Sequence, residues 1–384
     1  MLVVFAADTH YVSLSGTNNS PYLNWADAAT QIQWAVDAAT AGDTVLVSNG
    51  VYDTGGKVTP GYALTNRVVM TTAITLRSVN GPDYTSIKGA PAPAGGIGTG
   101  AVRCVYMSSG SLIGFTLTNG YAMSSGDSFY DRGPAGVLSY SSGSISNCVI
   151  KNNTAIRCGG AGLYAGSIDN CVITNNTSAN YGGGIYLNNC SMNACVVVGN
   201  TCGQYGGGVC LPDSASIKNC KIVQNTGTSV DSGGGVWTWM GAPKLFNCTI
   251  ANNRSSGASG GGVHVYGSGH VAYLTNCVVW GNISGGSASN IFIDVGSTIM
   301  CDHVCSGPVQ AGTGNIGSDP QFVNTNSGNY RLRMSSPCVN AGTNQDWMIN
   351  AVDLDGHNRI LNNIVDMGTY ETILWQGTIY RMGL

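Results

Sequence analysis

The sequence predicts an all-β fold, a right-handed parallel β-helix solenoid of roughly ten or more coils with a short N-terminal capping helix. Three observations predict it: six aligned cysteines separated by 23 to 29 residues, an asparagine five residues after each, and a glycine run later in each repeat.

The cysteines are Cys148, Cys171, Cys195, Cys220, Cys248 and Cys277, and the asparagines are Asn153, Asn176, Asn200, Asn225, Asn253 and Asn282. Three residues before each cysteine stands Ile145, Ile168, Met192, Ile217, Leu245 or Leu274, and two residues after it Ile150, Ile173, Val197, Ile222, Ile250 or Val279. An apolar residue every second position, with a variable one between, is the mark of a short strand that buries one face. Asparagine precedes the cysteine in five of the six repeats, Ala194 being the exception. Because asparagine tolerates left-handed backbone, this position reads as a corner. The runs Gly159–Gly160, Gly182–Gly184, Gly206–Gly208, Gly233–Gly235 and Gly260–Gly262 mark a second corner, and each leads into a further apolar strand. Stacked three-strand coils are therefore expected.

Stacking places equivalent residues about 4.8 Å apart. The cysteine column is then a soft apolar ladder and the asparagine column a hydrogen-bonded one, both structural. The cysteines lack the histidines or paired spacing of a zinc site. Cys104, Cys158, Cys190, Cys202, Cys210, Cys301, Cys305 and Cys338 lie off the column, and spacing assigns no disulfide among them.

Composition limits the function classes. The 384 residues are 43% hydrophobic and only 9% charged, with formal net charge −3. This balance argues against a disordered chain, and scattered basic residues offer no footprint for nucleic acid or an anionic membrane. No apolar run reaches the roughly 20 residues of a membrane-spanning helix. Met1–Ala7 reads as the end of an export signal without its basic start. The expected organisation is an export remnant at 1–7, an N-terminal cap with the first strand at 8–52, β-helix coils at 53–310, and a C-terminal coil and capping block at 311–384.

Within the cap, residues 25–39 are predicted as one amphipathic helix with Asn24 as its cap and Ile32, Ala35, Val36 and Ala39 on the apolar face. A solenoid leaves an open sheet end, and this helix suits a lid over the first coil. From Ile32 to Tyr52 the chain reads Ile-Gln-Trp-Ala-Val-Asp-Ala-Ala, then Gly42-Asp-Thr-Val-Leu-Val-Ser-Asn-Gly-Val-Tyr52. That stretch resembles the opening of pectate-lyase-like β-helix proteins. The C-terminal block, with Asp319-Pro-Gln-Phe-Val323, Ser336-Pro-Cys-Val-Asn-Ala-Gly342, Asp353-Leu-Asp-Gly-His-Asn-Arg359 and Val365-Asp-Met-Gly-Thr-Tyr-Glu371, is similar to that of bacterial exported β-helix proteins of the choice-of-anchor type. The resemblance implies a secreted or cell-surface bacterial protein whose partner is a polysaccharide or surface glycan. It also implies, for an enzyme, a polysaccharide lyase or a glycoside hydrolase. The former uses a lysine or arginine base with carboxylate-held calcium, the latter paired carboxylates.

Acids are scarce: Glu371 is the one glutamate, and Asp169, Asp213, Asp231 and Asp294 are the aspartates of residues 134–300. The catalytic candidates are Arg157, Lys221, Asp231 and His264, with Asp131 and Arg132 beside an aromatic loop. No metal site is assigned. Asp353-x-Asp355-Gly356 shares the opening of a calcium loop without its later ligands, so calcium is carried as the one candidate ion.

For binding, Leu163, Ile185, Val209, Val236 and Val263 are taken as inward, which points Tyr164, Tyr186, Cys210, Trp237 and His264 outward. Two residues on come Gly166, Asn188, Pro212, Trp239 and Tyr266. Tyr164, Tyr186, Trp237, Trp239 and Tyr266 are thus expected to form an aromatic stripe suited to the apolar faces of pyranose rings. Three readings follow: a carbohydrate-active lyase or hydrolase, a non-catalytic adhesin or glycan binder, and a structural protein self-associating through its solenoid ends.

Overall fold

The computed structural model describes residues 7–373 except 231, 258 and 362, so the expected export segment lies outside the described residues but for Ala7. Among them, eleven strands from Thr9–Val12 to Thr298–Asp302 form a first sheet and ten from Gly50–Tyr52 to Cys305–Ser306 a second. Ten strands from Lys57–Val58 to Ile291–Ile293 form a third. Successive coils pair in parallel and in register: Ile145 faces Leu112 and Ile168, while Ile150 faces Leu117 and Ile173. The exception in the third sheet is its opening pair, Lys57–Val58 antiparallel to Thr65–Asn66.

The expected three-strand coil gains a fourth strand in the middle of the solenoid. Six two-residue strands, from Thr154–Ala155 to Ile283–Ser284, stack in parallel after the asparagine corner, and Ser287–Ala288 closes the sheet antiparallel to the last of them. A two-residue strand is too short to show alternation in sequence.

Inside the tube the columns are continuous. Ile145, Ile168, Met192, Ile217, Leu245 and Leu274 stack in the first sheet and Ile150, Ile173, Val197, Ile222, Ile250 and Val279 in the second, all fully buried. Each such side chain contributes about 1.5–3 kcal/mol. All fourteen cysteines are buried and unbridged. In the column each thiol donates to the carbonyl two residues before it, as Cys171 does to Asp169 at 3.2 Å and Cys220 to Lys218 at 3.0 Å.

The asparagines form a closed hydrogen-bond ladder. Each buried amide donates Nδ2 to the Oδ1 of the next, at 3.0 Å from Asn153 through Asn253. Each also donates to a carbonyl of the previous coil, as Asn200 does to Ile173 at 2.9 Å. Asn153 accepts from the Gly120 N–H at 2.8 Å at one end, and Asn290 accepts from Asn282 at the other. The glycine pairs sit against this ladder: a Cβ on Gly184 would lie 2.7 Å from the Gly208 oxygen and 2.9 Å from Asn200 Nδ2.

The corner before each cysteine is left-handed, with φ between 48° and 54° at Asn147, Asn170, Ala194, Asn219, Asn247 and Asn276. A left-handed alanine costs roughly 1 kcal/mol that asparagine largely avoids. Ala194→Asn is therefore expected to raise unfolding free energy by about 0.5–1 kcal/mol, measured by chemical denaturation; a loss of stability would show the corner to be limited by space instead.

At the opening end the helix spans only Ile32–Ala38, shorter than expected. Asn24 instead accepts from the Asp27 N–H at 3.0 Å, closing a turn. Residues up to Ala29 stay out of the helix because Ala29 bridges to the edge of the first strand, with Ala29 N–H donating to Tyr11 and Ser13 N–H to Ala29, both at 2.9 Å. From the helix, Gln33 accepts from the Val69 N–H at 2.7 Å and donates to the Val69 carbonyl at 3.2 Å. One side chain thus stands in for a neighbouring strand at the edge of the third sheet, which fulfils the lid role.

The C-terminal block lies along the outer face of the second sheet. Its antiparallel hairpin, Phe322–Asn324 with Asn329–Leu332, brings Tyr330 over Val223 and Ala251 together with Tyr370. Thr369 and Thr249 exchange N–H to hydroxyl bonds at 2.9 and 3.1 Å. Within the block, fully buried Arg359 pairs with Glu371 at 3.0 Å.

Candidate functional site

On the third sheet, inward Ile185 and Leu187 bracket outward Tyr186. The outward column runs Tyr106, Leu138, Gly162, Tyr186, Cys210, Trp237, His264, Phe292. Tyr164 is not in it, which corrects the expected alignment. Leu163 pairs with Leu187, so it is Ala161 that ranks with Ile185. The glycine run ends at Gly160, and counting from that end finds the register; small Ala161 gave too weak an apolar signal to start the strand there.

Tyr164 instead belongs to a second outward column, one residue past each strand. Tyr140, Tyr164, Asn188, Trp239, Tyr266 and Asp294 occupy it, each donating its N–H to the strand of the preceding coil at 2.9–3.1 Å.

The two columns differ in exposure. Tyr186 and Trp237 are 8% and 1% exposed, so they are not the open stripe the sequence suggested. Loops between the fourth and third sheets fold over them, with Tyr205 4.7 Å from Trp237 and Tyr181 6.3 Å from Tyr186 between ring centroids. Arg157 lies between the Phe129 and Tyr181 rings, 4.7 and 4.6 Å from their centroids, and is a stacking element of this satellite core. Buried Arg103, which the sequence reading passed over, anchors the 124–134 loop by donating to the Pro134 and Tyr130 carbonyls. Asp131 anchors it too, accepting from the Ala63 and Leu64 N–H groups at 2.8 and 3.0 Å. Arg132 donates to the Ser128 hydroxyl in the same loop.

The second column is open at both ends. Tyr140 is 43% exposed and stands 5.2 Å from partly exposed Tyr164; Trp239 is 40% exposed beside partly exposed Tyr266. Between the two pairs lie Asn188 and, next to it, Asn189, which donates to Asp213 at 3.3 Å. Four coil steps separate Tyr140 from Trp239, about 19 Å along the solenoid axis. Burial pushes the Tyr164 phenol above its ordinary pKa, so it stays a neutral hydroxyl.

The catalytic candidates are dispersed. Lys221 is on the second sheet, its Nζ 5.8 Å from the Tyr370 ring, and burial followed by the nearby Arg331 lowers its pKa. Asp231 lies outside the described residues. His264 is 2% exposed in the covered column, with Nε2 3.0 Å from Asp294 Oδ1. That pair joins residues one coil apart, and no local motif announces it. The Asp353, Asp355 and His357 side chains do converge within 4.8 Å. Asp353 nonetheless accepts from the N–H groups of Asp355, His357 and Glu371 at 2.7–2.8 Å, and Asp355 pairs with Arg331 through both oxygens. These contacts hold the element as a turn within the C-terminal block.

Comparison with known proteins accords with this architecture. A family described as "Right handed beta helix region" matches residues 104–245 and 135–293. Among solved structures the chain is similar to the pectate lyase Pel9A, with TM-score 0.52 and 16% identity over 97% of this chain and 98% of that one. It is similar also to a rhamnogalacturonan lyase, with TM-score 0.52 and 12% identity over 92% of this chain and 99% of the other. No curated protein sequence matches. The chain is a right-handed parallel β-helix.

Proposed function

We propose that this β-helix binds polysaccharide along the axial column of the third sheet, from Tyr140 to Tyr266. The observation that carries the reading is the alignment of two exposed rings, Tyr140 and Trp239, in one column with a polar stretch between them. Rings placed this way offer apolar faces to pyranose units at both ends, and Asn188 and Asp213 offer hydrogen bonds to hydroxyls at the centre. The similar structures are named as lyases, which supports a carbohydrate partner. The proposed role is binding. Arg157, Lys221 and His264 sit in three separate environments, and among the described residues no pair of exposed acids flanks the column. Export belongs to the same reading, on the strength of the apolar Met1–Ala7 opening.

The test is retardation of the purified chain in gels containing acidic or neutral polysaccharides. At least one polymer is expected to retard it, and Tyr140→Ala with Trp239→Ala to weaken that interaction by about tenfold or more. Retardation unchanged in the double variant removes the axial column from the account. Incubation of the same polymers with and without calcium, followed by ultraviolet absorbance and reducing ends, separates binder from enzyme: unsaturated products would establish a lyase.

A further inference from the structure

We propose a second saccharide site, specific for a neutral glycosyl unit, in the groove where the C-terminal hairpin meets the last coils of the second sheet. The groove encloses about 450 Å³, within the range of small-ligand sites. It lies on a different sheet from the axial column and stands independently of that reading.

One wall is Trp280. It ends the outward column that climbs the second sheet through Val198, Val223 and Ala251. Phe322 and Tyr330 cover those aliphatic residues, but Trp280 stays partly exposed at the rim, with Phe322 also lining the groove. The floor is a corner where glycine replaces a side chain. Gly281 stands, with φ 67°, where earlier coils carry Asn152, Asn175, Gly199, Gln224 and Asn252. Asn252 donates Nδ2 to the buried Tyr330 hydroxyl at 3.2 Å. Its Oδ1 then occupies the space a Cβ on Gly281 would need, only 2.5 Å away. An oriented amide oxygen is thus kept clear at the base of the groove.

The groove is also lined by exposed Asp319 and Arg333. Asp319 Oδ1 accepts from the Gln321 N–H at 2.8 Å, and Arg333 donates to the Val323 carbonyl at 3.2 Å, so both heads are held in place with further hydrogen-bonding capacity. An aromatic wall, two acceptor oxygens and a planar donor match one pyranose ring with its hydroxyls. Asp319 and Arg333 together bring no net charge to the rim, which sets the preference for a neutral unit.

The full chain is titrated with methyl glucoside, galactoside and mannoside and with methyl galacturonoside, followed by ligand-observed NMR and tryptophan fluorescence. At least one neutral glycoside is expected to bind with Kd around 1 mM, more tightly than the uronoside. Trp280→Ala and Arg333→Ala should each weaken it about tenfold, while Trp239→Ala on the axial column leaves it unchanged. Arg333 is exposed, so its variant keeps the test valid if Trp280→Ala does not fold. No binding, preference for the uronoside, indifference to Arg333→Ala, or loss with Trp239→Ala would each overturn the proposal. Loss of polymer retardation in the Tyr140 and Trp239 variants concerns the axial column alone.

Discussion

Asn200→Leu is expected to lower the unfolding free energy by about 4 kcal/mol, read from the denaturant midpoint at constant slope. Leucine keeps the branched outline but is bulkier, so crowding against Gly184 adds to the loss of the hydrogen bonds. Asn200 Oδ1 accepts from the Asn176 N–H and Nδ2, both at 3.0 Å, and its Nδ2 donates to the Ile173 carbonyl at 2.9 Å. Removing the amide strands a buried N–H and a buried C=O, at about 1–3 kcal/mol each. The neighbouring amides cannot turn to compensate, because each is engaged by the ladder above and below. A loss under about 1 kcal/mol would mean that the column is ornament to the aliphatic core and not a determinant of stability.

A second large effect is expected in the pH dependence of the C-terminal block. Burial raises the Glu371 carboxyl from 4.5 to about 8, and the Arg359 guanidinium 3.0 Å away offsets only part of that shift. Between those two pH values the folded state holds a proton that the unfolded state has released. Stability must therefore fall as pH rises through the window, by about 3 kcal/mol from pH 5 to pH 8. Glu371→Gln should flatten the profile and leave the variant more stable than the parent at pH 8. Denaturation midpoints at pH 5, 6.5 and 8 for both proteins check this; a parent profile that rises with pH would show the ion pair prevailing over desolvation. Loss of the block would uncover Val223 and Ala251 and dismantle the groove at Trp280.

Much of the solenoid was legible because a repeat writes each contact many times. The residues three before and two after each cysteine are the stacked cores of the first and second sheets, and the asparagines are the ladder. The third sheet was harder to read. Its glycine runs differ in length, and one strand begins with Ala161, so the sequence places Tyr164 in the column of Tyr186 although it stands beside Tyr140. The helix boundary failed for another reason: residues before Ile32 have helical pattern, yet the exposed edge at Tyr11 and Ser13 claims their backbone.

The sequence by itself determined the period, the inward faces and the corners, because these depend on spacing along the chain and on the conformations asparagine and glycine tolerate. Only the tertiary structure decided which aromatic rings reach solvent and which charged groups meet. Tyr181 and Tyr205 cover Tyr186 and Trp237, Arg157 stacks between rings, and the C-terminal block folds onto the second sheet to make the groove at Trp280. Exposure and encounter depend on how loops of unequal length pack over a regular surface, and that packing is set by contacts between residues far apart in the chain.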